Sequence, residues 1–266
     1  MSYTMTMPKK AVPTNHHEHR LQKAGHKHIA GVDEAGKGSW AGPLVAAAVI
    51  LDSENVPEDI FDSKMLSPQQ REKVFVGITK KSIAWSVSVI PAKMIDKLGI
   101  KKANYFALQQ ATKKLRVEPD AVLVDAYHID LGNTPTVSII SGDAKERNIG
   151  AASIVAKVVR DRLMSSEIHH AHPQYQFHVH KGYGTPLHQK LLDMYGPSPE
   201  HRFSFAPVKQ ALAKSSKSKR EVIKKISKPK RKKSKVKPLS TKITSRRLSK
   251  TSARYSLRRR LIRKKS

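Results

Sequence analysis

Two rhythms of apolar residues run through this chain and divide it into elements. Small, aliphatic and β-branched runs at His28–Asp33 and Leu44–Leu51, separated by a turn rich in Gly and Pro, predict two successive strands. Ser82–Ile90 alternates polar and apolar positions in part and predicts a third. From Lys101 to Leu115 the rhythm changes: Tyr105, Leu108, Ala111 and Leu115 recur at helical spacing, and Pro119 follows the end. Ala121–Asp125 reads as a short buried strand ending in a carboxylate, and Thr136–Ile140 as another strand. Gly150–Glu167 carries Ala, Ile and Val on one face, and Pro186–Tyr195 opens with Pro at the first helical position; both predict helices. The order is that of an α/β domain.

Candidate chemistry collects at the predicted strand ends. In an open α/β sheet, ligands gather beyond those ends, where loops face one cleft. Asp33 and Asp125 terminate strands, Glu34 follows Asp33 directly, and Asp143 lies between a strand and a helix. The apolar run before Asp33-Glu34 delivers two adjacent carboxylates into a glycine-rich turn, where hard cations can bind and backbone can approach a phosphate. Taken singly, an Asp-Glu pair before glycine is a strand end and turn, and Asp125 or Asp143 is a turn or cap residue. Longer text changes that balance. Asp33-Glu34-Ala35-Gly36-Lys37-Gly38-Ser39-Trp40-Ala41-Gly42-Pro43 is followed, in order, by Asp62-Ser63-Lys64 with Leu66 and Arg71-Glu72, then Val124-Asp125 and Gly142-Asp143-Ala144. Ala151 to Lys157 with Arg160-Asp161, His180-Lys181-Gly182-Tyr183-Gly184-Thr185, and His201-Arg202 with Ser204-Phe205 and Pro207-Val208 complete the series.

Over roughly residues 28 to 208, this ordered series resembles the ribonuclease HII family. The resemblance implies an RNase H-like fold, a mixed central sheet flanked by helices, with a C-terminal helical part. It implies a metal-dependent endoribonuclease that hydrolyses the RNA strand of RNA–DNA hybrids and cuts 5′ to ribonucleotides embedded in duplex DNA, as in ribonucleotide excision repair. Products would carry 5′-phosphate and 3′-hydroxyl ends. Asp33, Glu34, Asp125 and Asp143 would be the catalytic and metal-binding carboxylates. An all-oxygen donor set suits two Mg²⁺ or Mn²⁺ ions rather than zinc. Substrate contacts would come from Gly36, Lys37 and Gly38, which let backbone approach a sugar-phosphate unit, and from Lys64, Lys157 and Lys181 at phosphates, although each lysine could equally be solvated. Tyr183 resembles the family tyrosine that packs on the sugar at the RNA-to-DNA junction; without its flanking motif it could equally be a loop aromatic over the core. Recognition of the ribose 2′-hydroxyl would provide the specificity.

Four departures from the family pattern, at five residues, stand out. Lys37 replaces Arg and loses the planar fork for bidentate phosphate binding. Ser39-Trp40 replaces Pro-Leu, Ala126 stands where glycine commonly follows the strand-end Asp, and Ser141 stands where Lys often precedes Gly142-Asp143. None removes a carboxylate, whereas preference between a single ribonucleotide and a long hybrid is left open. Asp161, between Arg160 and Arg162, reads as structural. Ribonuclease HIII shares much of the signature but normally carries an additional N-terminal domain. A non-catalytic nucleic-acid-binding platform is the rival from another class, and it would be expected to have lost carboxylates.

Composition adds the ends of the chain. Formal net charge is +30 over 266 residues, and residues 209–266 hold 25 of the 51 Lys and Arg with Glu221 as their one acid. That stretch is too poor in apolar residues to offset the entropy of folding, so it is expected to be a disordered tail. It would hold nucleic-acid backbone through counterion release, with affinity that fades as salt rises; Lys230–Lys233 also fits a nuclear address. Residues 1–27, with His16, His17 and His19, are expected to be a flexible extension, leaving 28–208 as the catalytic domain. The chain has no cysteine, and so neither a disulfide nor a thiolate zinc site. No apolar stretch is long enough to span a bilayer. A cytoplasmic monomer with no membrane association is the expectation.

Overall fold

A computed structural model describes residues 13–57, 60 and 63–214. Asp62 and the basic tail beyond residue 214 lie outside the described residues. The chain forms α1 (His16–Lys23), β1 (Ile29–Ala35), β2 (Leu44–Ile50), α2 (Pro68–Lys81), β3 (Ala84–Ile90), α3 (Ala92–Leu98), α4 (Ile100–Lys113), β4 (Ala121–Asp125) and β5 (Thr136–Ile139). It continues through α5 (Gly142–Lys145), α6 (Arg147–Ser165), α7 (Glu167–Ala171), α8 (Phe177–His180) and α9 (Pro186–Tyr195). The sheet has order β3-β2-β1-β4-β5. β1, β2 and β3 form an antiparallel meander, while β4 and β5 extend it in parallel. This is the mixed, helix-flanked sheet of an RNase H-like fold.

The side-chain period of a strand sorts β2 between two cores. Leu44, Ala46, Ala48 and Ile50 pack on one face with Ala103, Ala107, Leu108 and Ala111 of α4. Val45, Ala47 and Val49 pack on the other with α6 and with Val74, Phe75 and Ile78 of α2. Ala46, Ala47 and Ala48 at the centre of the strand give both faces small side chains, so both helices sit close to the sheet. β1 goes further: a Cβ at Gly31 would overlap the Asn148 backbone, so α6 is seated directly on that strand. Asn148 completes the contact by accepting the Leu51 N–H at 2.9 Å.

Both ends of the folded region differ from expectation. α1 is docked: Glu146, fully buried, accepts the N–H groups of His17 at 3.0 Å and Glu18 at 3.2 Å, and Asn15 accepts from Arg147 N at 2.9 Å. The two Glu146 bonds cap α1 from a distant part of the chain, and Asn15 in return caps the first N–H of α6. The polar composition concealed this, because Leu21 alone carries the apolar contact, against Ile29, Ala121 and Leu123 among others. At the other end, residues 206–214 are helical, and Val208 and Ala211 are buried against Leu192. The folded region therefore extends past 208 to at least 214. α2, opened by a Ser67–Gln70 capping box, and α3 were not predicted from the apolar rhythm.

Candidate active site

Strand register brings the acids together. β1 and β4 run parallel with Val32 beside Val124, so Asp33 and Asp125 follow at neighbouring positions on one sheet edge. β5 pairs Ile139 with Asp125 and the chain turns through Ser141 into α5, which presents Asp143. Asp33, Glu34, Asp125 and Asp143 line one cleft of about 320 Å³ together with Gly36, Lys37, Gly38, Ser63, Lys64, Arg71, Ser153, Lys157 and Tyr183. Of the anticipated site residues, only Lys181 stands apart. It lines a neighbouring groove with Glu72, Asp161 and Arg162, and Arg71 borders both spaces.

The carboxylates are poorly compensated. Burial, then the charges of Glu34 and Asp125, push Asp33 well above the usual carboxylate range, against the opposing bonds from Ser153 and the Glu34 N–H at 2.7 Å. Glu34 is raised by burial, though Lys37, 3.7 Å away, pulls it back. Its Oε2 is buried without a hydrogen-bond partner, beside the fully buried Asn104 of α4. Asp125 is also raised, by burial ahead of Asp143, although it accepts the Gly142 N–H at 2.7 Å. Lys64 bonds Asp143 at 2.8 Å, and Lys37 bonds the Tyr127 hydroxyl.

No three His, Asp or Glu side chains among the described residues already form a closed ligand set. The donors nevertheless fit hard divalent cations: all are oxygens, three are destabilised by burial and then by the charge of neighbouring acids, and one buried oxygen is orphaned. Cations there would replace the partial compensation that Lys37 and Lys64 now provide.

The opposite wall is densely bonded, although Arg160 Nη1 and Ser39 Oγ are buried there without a partner. Gly36 has φ +87°, and a Cβ there would overlap the Arg160 side chain, so only glycine fits this turn. Buried Arg160 donates to the carbonyls of Pro43 at 2.9 Å, Lys181 at 2.9 Å and Ala41 at 3.3 Å. Buried Arg202 donates to Lys37 O at 2.9 Å and twice to Gly42 O, at 3.1 and 3.0 Å; burial lowers its pKa to about 9. Trp40 N donates to Gly182 O at 2.8 Å, joining the glycine turn to the loop of Tyr183. The Tyr183 ring lies 5.1 Å from Lys157 Nζ and 5.0 Å from the Arg160 guanidinium.

Sequence reasoning assigned no role to Ser153, Tyr127, Arg71 or Asn104. Arg71 fixes the Lys64 turn by donating to Ser63 O at 2.8 Å and Leu66 O at 2.6 Å. Its signal was its place inside the Asp62-to-Glu72 motif. Asn104 could have been flagged as a polar residue on the apolar face of its helix. Asp161 bonds Lys157 at 2.9 Å. Ala126 and Ser141, two of the four departures from the family pattern, both have left-handed backbone, with φ 52° and 57°.

The ribonuclease HII family model matches residues 30–208. Ribonuclease HII from Caldicellulosiruptor bescii is 47% identical over 188 residues, covering 71% of this chain and 91% of its own. That from Idiomarina loihiensis is 48% identical over 185 residues, covering 70% and 98%. The crystal structure of ribonuclease H2 from Pyrococcus horikoshii OT3 superposes with a TM-score of 0.62 at 27% identity, covering 72% of this chain and all of that one.

Proposed function

Because the chain belongs to the ribonuclease HII family, metal-dependent endonucleases that cut RNA paired with DNA, we propose that it also cuts duplex DNA on the 5′ side of embedded ribonucleotides. Asp33, Glu34, Asp125 and Asp143 would hold two Mg²⁺ or Mn²⁺ ions. The observation that carries this reading is the convergence of these four acids in one cleft, with the Glu34 oxygen unpartnered and Asp33 held far from its usual pKa. Bound ions would neutralise the developing charge, lower the pKa of the attacking water and stabilise the departing sugar oxygen.

The chain's own groups would do the rest. Ser153 orients Asp33, and the Gly142 N–H orients Asp125. The Gly36-Lys37-Gly38 turn, held by Arg160 and Arg202, presents backbone groups to the ribose and its phosphate. Tyr183 supplies a flat surface for the sugar on the far side of the cleft. Lys64 and Lys157 face phosphates there, and Lys181 would meet the backbone farther along, through the adjoining groove. The basic tail would hold the duplex without reading sequence. No described helix is long and apolar enough to cross a membrane.

Cleavage of a labelled DNA duplex containing one ribonucleotide, with Mg²⁺ or Mn²⁺, tests this reading. The intact chain should cut 5′ to the ribonucleotide, and Asp33→Asn should lose on the order of a thousandfold in rate. Binding without cutting would favour a non-catalytic platform, and cutting of long hybrids alone would trace a changed preference to Lys37 and Ser39-Trp40.

A further inference from the structure

Three histidines outside the carboxylate cleft, His180, His188 and His201, are buried behind Tyr183. Hydrogen bonding fixes the tautomer of each. The backbone N–H of Ser198 donates to His201 Nδ1 at 3.0 Å, which puts the His201 proton on Nε2. That atom lies 3.0 Å from His188 Nε2, which therefore accepts. The His188 proton is left on Nδ1, 2.9 Å from the carbonyl oxygen of Tyr183. Next to it, Gly182 N–H donates to His180 Nδ1 at 3.1 Å, and His180 Nε2–H donates to Tyr175 O at 2.8 Å. The His180 and His188 rings stack, with centroids 4.2 Å apart.

We propose that the relay from Ser198 N–H through His201 and His188 to the Tyr183 carbonyl is the positioning device that sets Tyr183 against the sugar at the cut site. His188 holds the carbonyl of Tyr183 while His180 holds the amide of the preceding residue, so the backbone on both sides of the aromatic platform is fixed. The proposal rests on the reading of Tyr183 as that platform. The relay works only with neutral rings, because a second proton on His188 or His201 would oppose two N–H donors across 3.0 Å. The other groups whose charge reaches these rings, His172, His178 and Lys181, also disfavour the protonated form, and burial lowers His188 to about 4 and His201 to about 3.

The test compares His188→Leu, which removes the donor to Tyr183, with His188→Asn, which returns an N–H near the Nδ1 position. Both leave His201 Nε2 without its acceptor, so the difference between them isolates the bond to Tyr183. On the single-ribonucleotide duplex, His188→Leu should lower kcat/KM by about three- to tenfold and His188→Asn should recover most of that loss. Equal values for the two variants, in the presence of a clear Tyr183→Ala defect, overturn the relay alone. A Tyr183→Ala enzyme that cuts normally overturns the platform reading, and the positioning role with it. Should the variants fold poorly, a two-bond proton–nitrogen correlation spectrum of the intact chain near neutral pH decides: His188 should be the Nδ1–H tautomer with His180 and His201 Nε2–H, and His188 as Nε2–H overturns the relay.

Discussion

The two walls of the cleft use buried polarity in opposite ways. On the carboxylate wall, three acids are pushed toward their neutral forms and one buried oxygen has no partner. On the loop wall, two buried guanidinium groups, each without a carboxylate partner within bonding distance, hold five backbone carbonyls, those of Lys37, Ala41, Gly42, Pro43 and Lys181, and leave only Arg160 Nη1 of their buried nitrogens unpartnered. The first arrangement stores unfavourable electrostatic energy that a cation can release. The second fixes a backbone surface that would otherwise be a loose glycine turn. One wall is built for a ligand still to arrive, the other to stay unchanged when it does.

The contrast is broken most severely by Arg160→Met. Losing its three carbonyl contacts should cost about 3 kcal/mol or more of stability, read as the urea midpoint. Asp33→Asn should move stability the other way in the metal-free protein, by about 1–2 kcal/mol, because it removes a buried charge from beside Glu34 and Asp125. A destabilised Asp33→Asn protein would mean that the acids are better compensated than their surroundings indicate.

A second measurement sharpens the comparison through pH. Asp33, Glu34 and Asp125 have raised pKa values, so the stability linked to them is full below the unfolded carboxylate value near 4 and declines as pH rises through the folded values. His188 and His201 have lowered values, about 4 and 3; their contribution is full above about 6.5 and is lost as pH falls toward those values. Mg²⁺ or Mn²⁺ binds the ionised acids, so the stabilisation on adding metal, followed as the rise in Tm, should be larger at pH 8 than at pH 5.5, its free energy approaching about 2.7 kcal/mol at a hundredfold excess over Kd. An equal rise at both would remove the electrostatic account of the carboxylate wall.

The smallest effect concerns the turn beyond β4. Ala126→Gly should stabilise the fold by about 1 kcal/mol by relieving left-handed backbone at a residue with a Cβ. A loss of stability in thermal melts would show that the alanine side chain contributes packing there.

Periodicity and motif order made much of this molecule legible in advance. The strands at β1 to β5 and the helices at α4, α6 and α9 lie where their apolar positions fall: β1, β2 and β4 are buried on both faces and read as continuous apolar runs, β3 buries alternate residues, and the helices bury one face. α2 and α3 were missed: α2 is short of apolar residues and is announced chiefly by its Ser67–Gln70 cap, while α3 buries only Ala92 and Ile95. Motif order brought Asp33, Glu34, Asp125 and Asp143 into view as one set, since strand register carries separated segments to one edge. Arg160 and Arg202 appeared in the motifs as bare letters. Their work is to bind carbonyls far away in sequence, and no local pattern encodes that.

The docking of α1 on Glu146 has a consequence for the order in which the molecule can be completed. Its bonds join residues 129 and 132 positions apart, His17 to Glu146 and Asn15 to Arg147. During synthesis the β1-to-β3 meander can pair as soon as it emerges, but this helix must wait while the rest of its seat is made, roughly 6–26 s at ordinary translation rates. The first of the described helices is therefore among the last to be seated, closing beside the segment that carries Asp143.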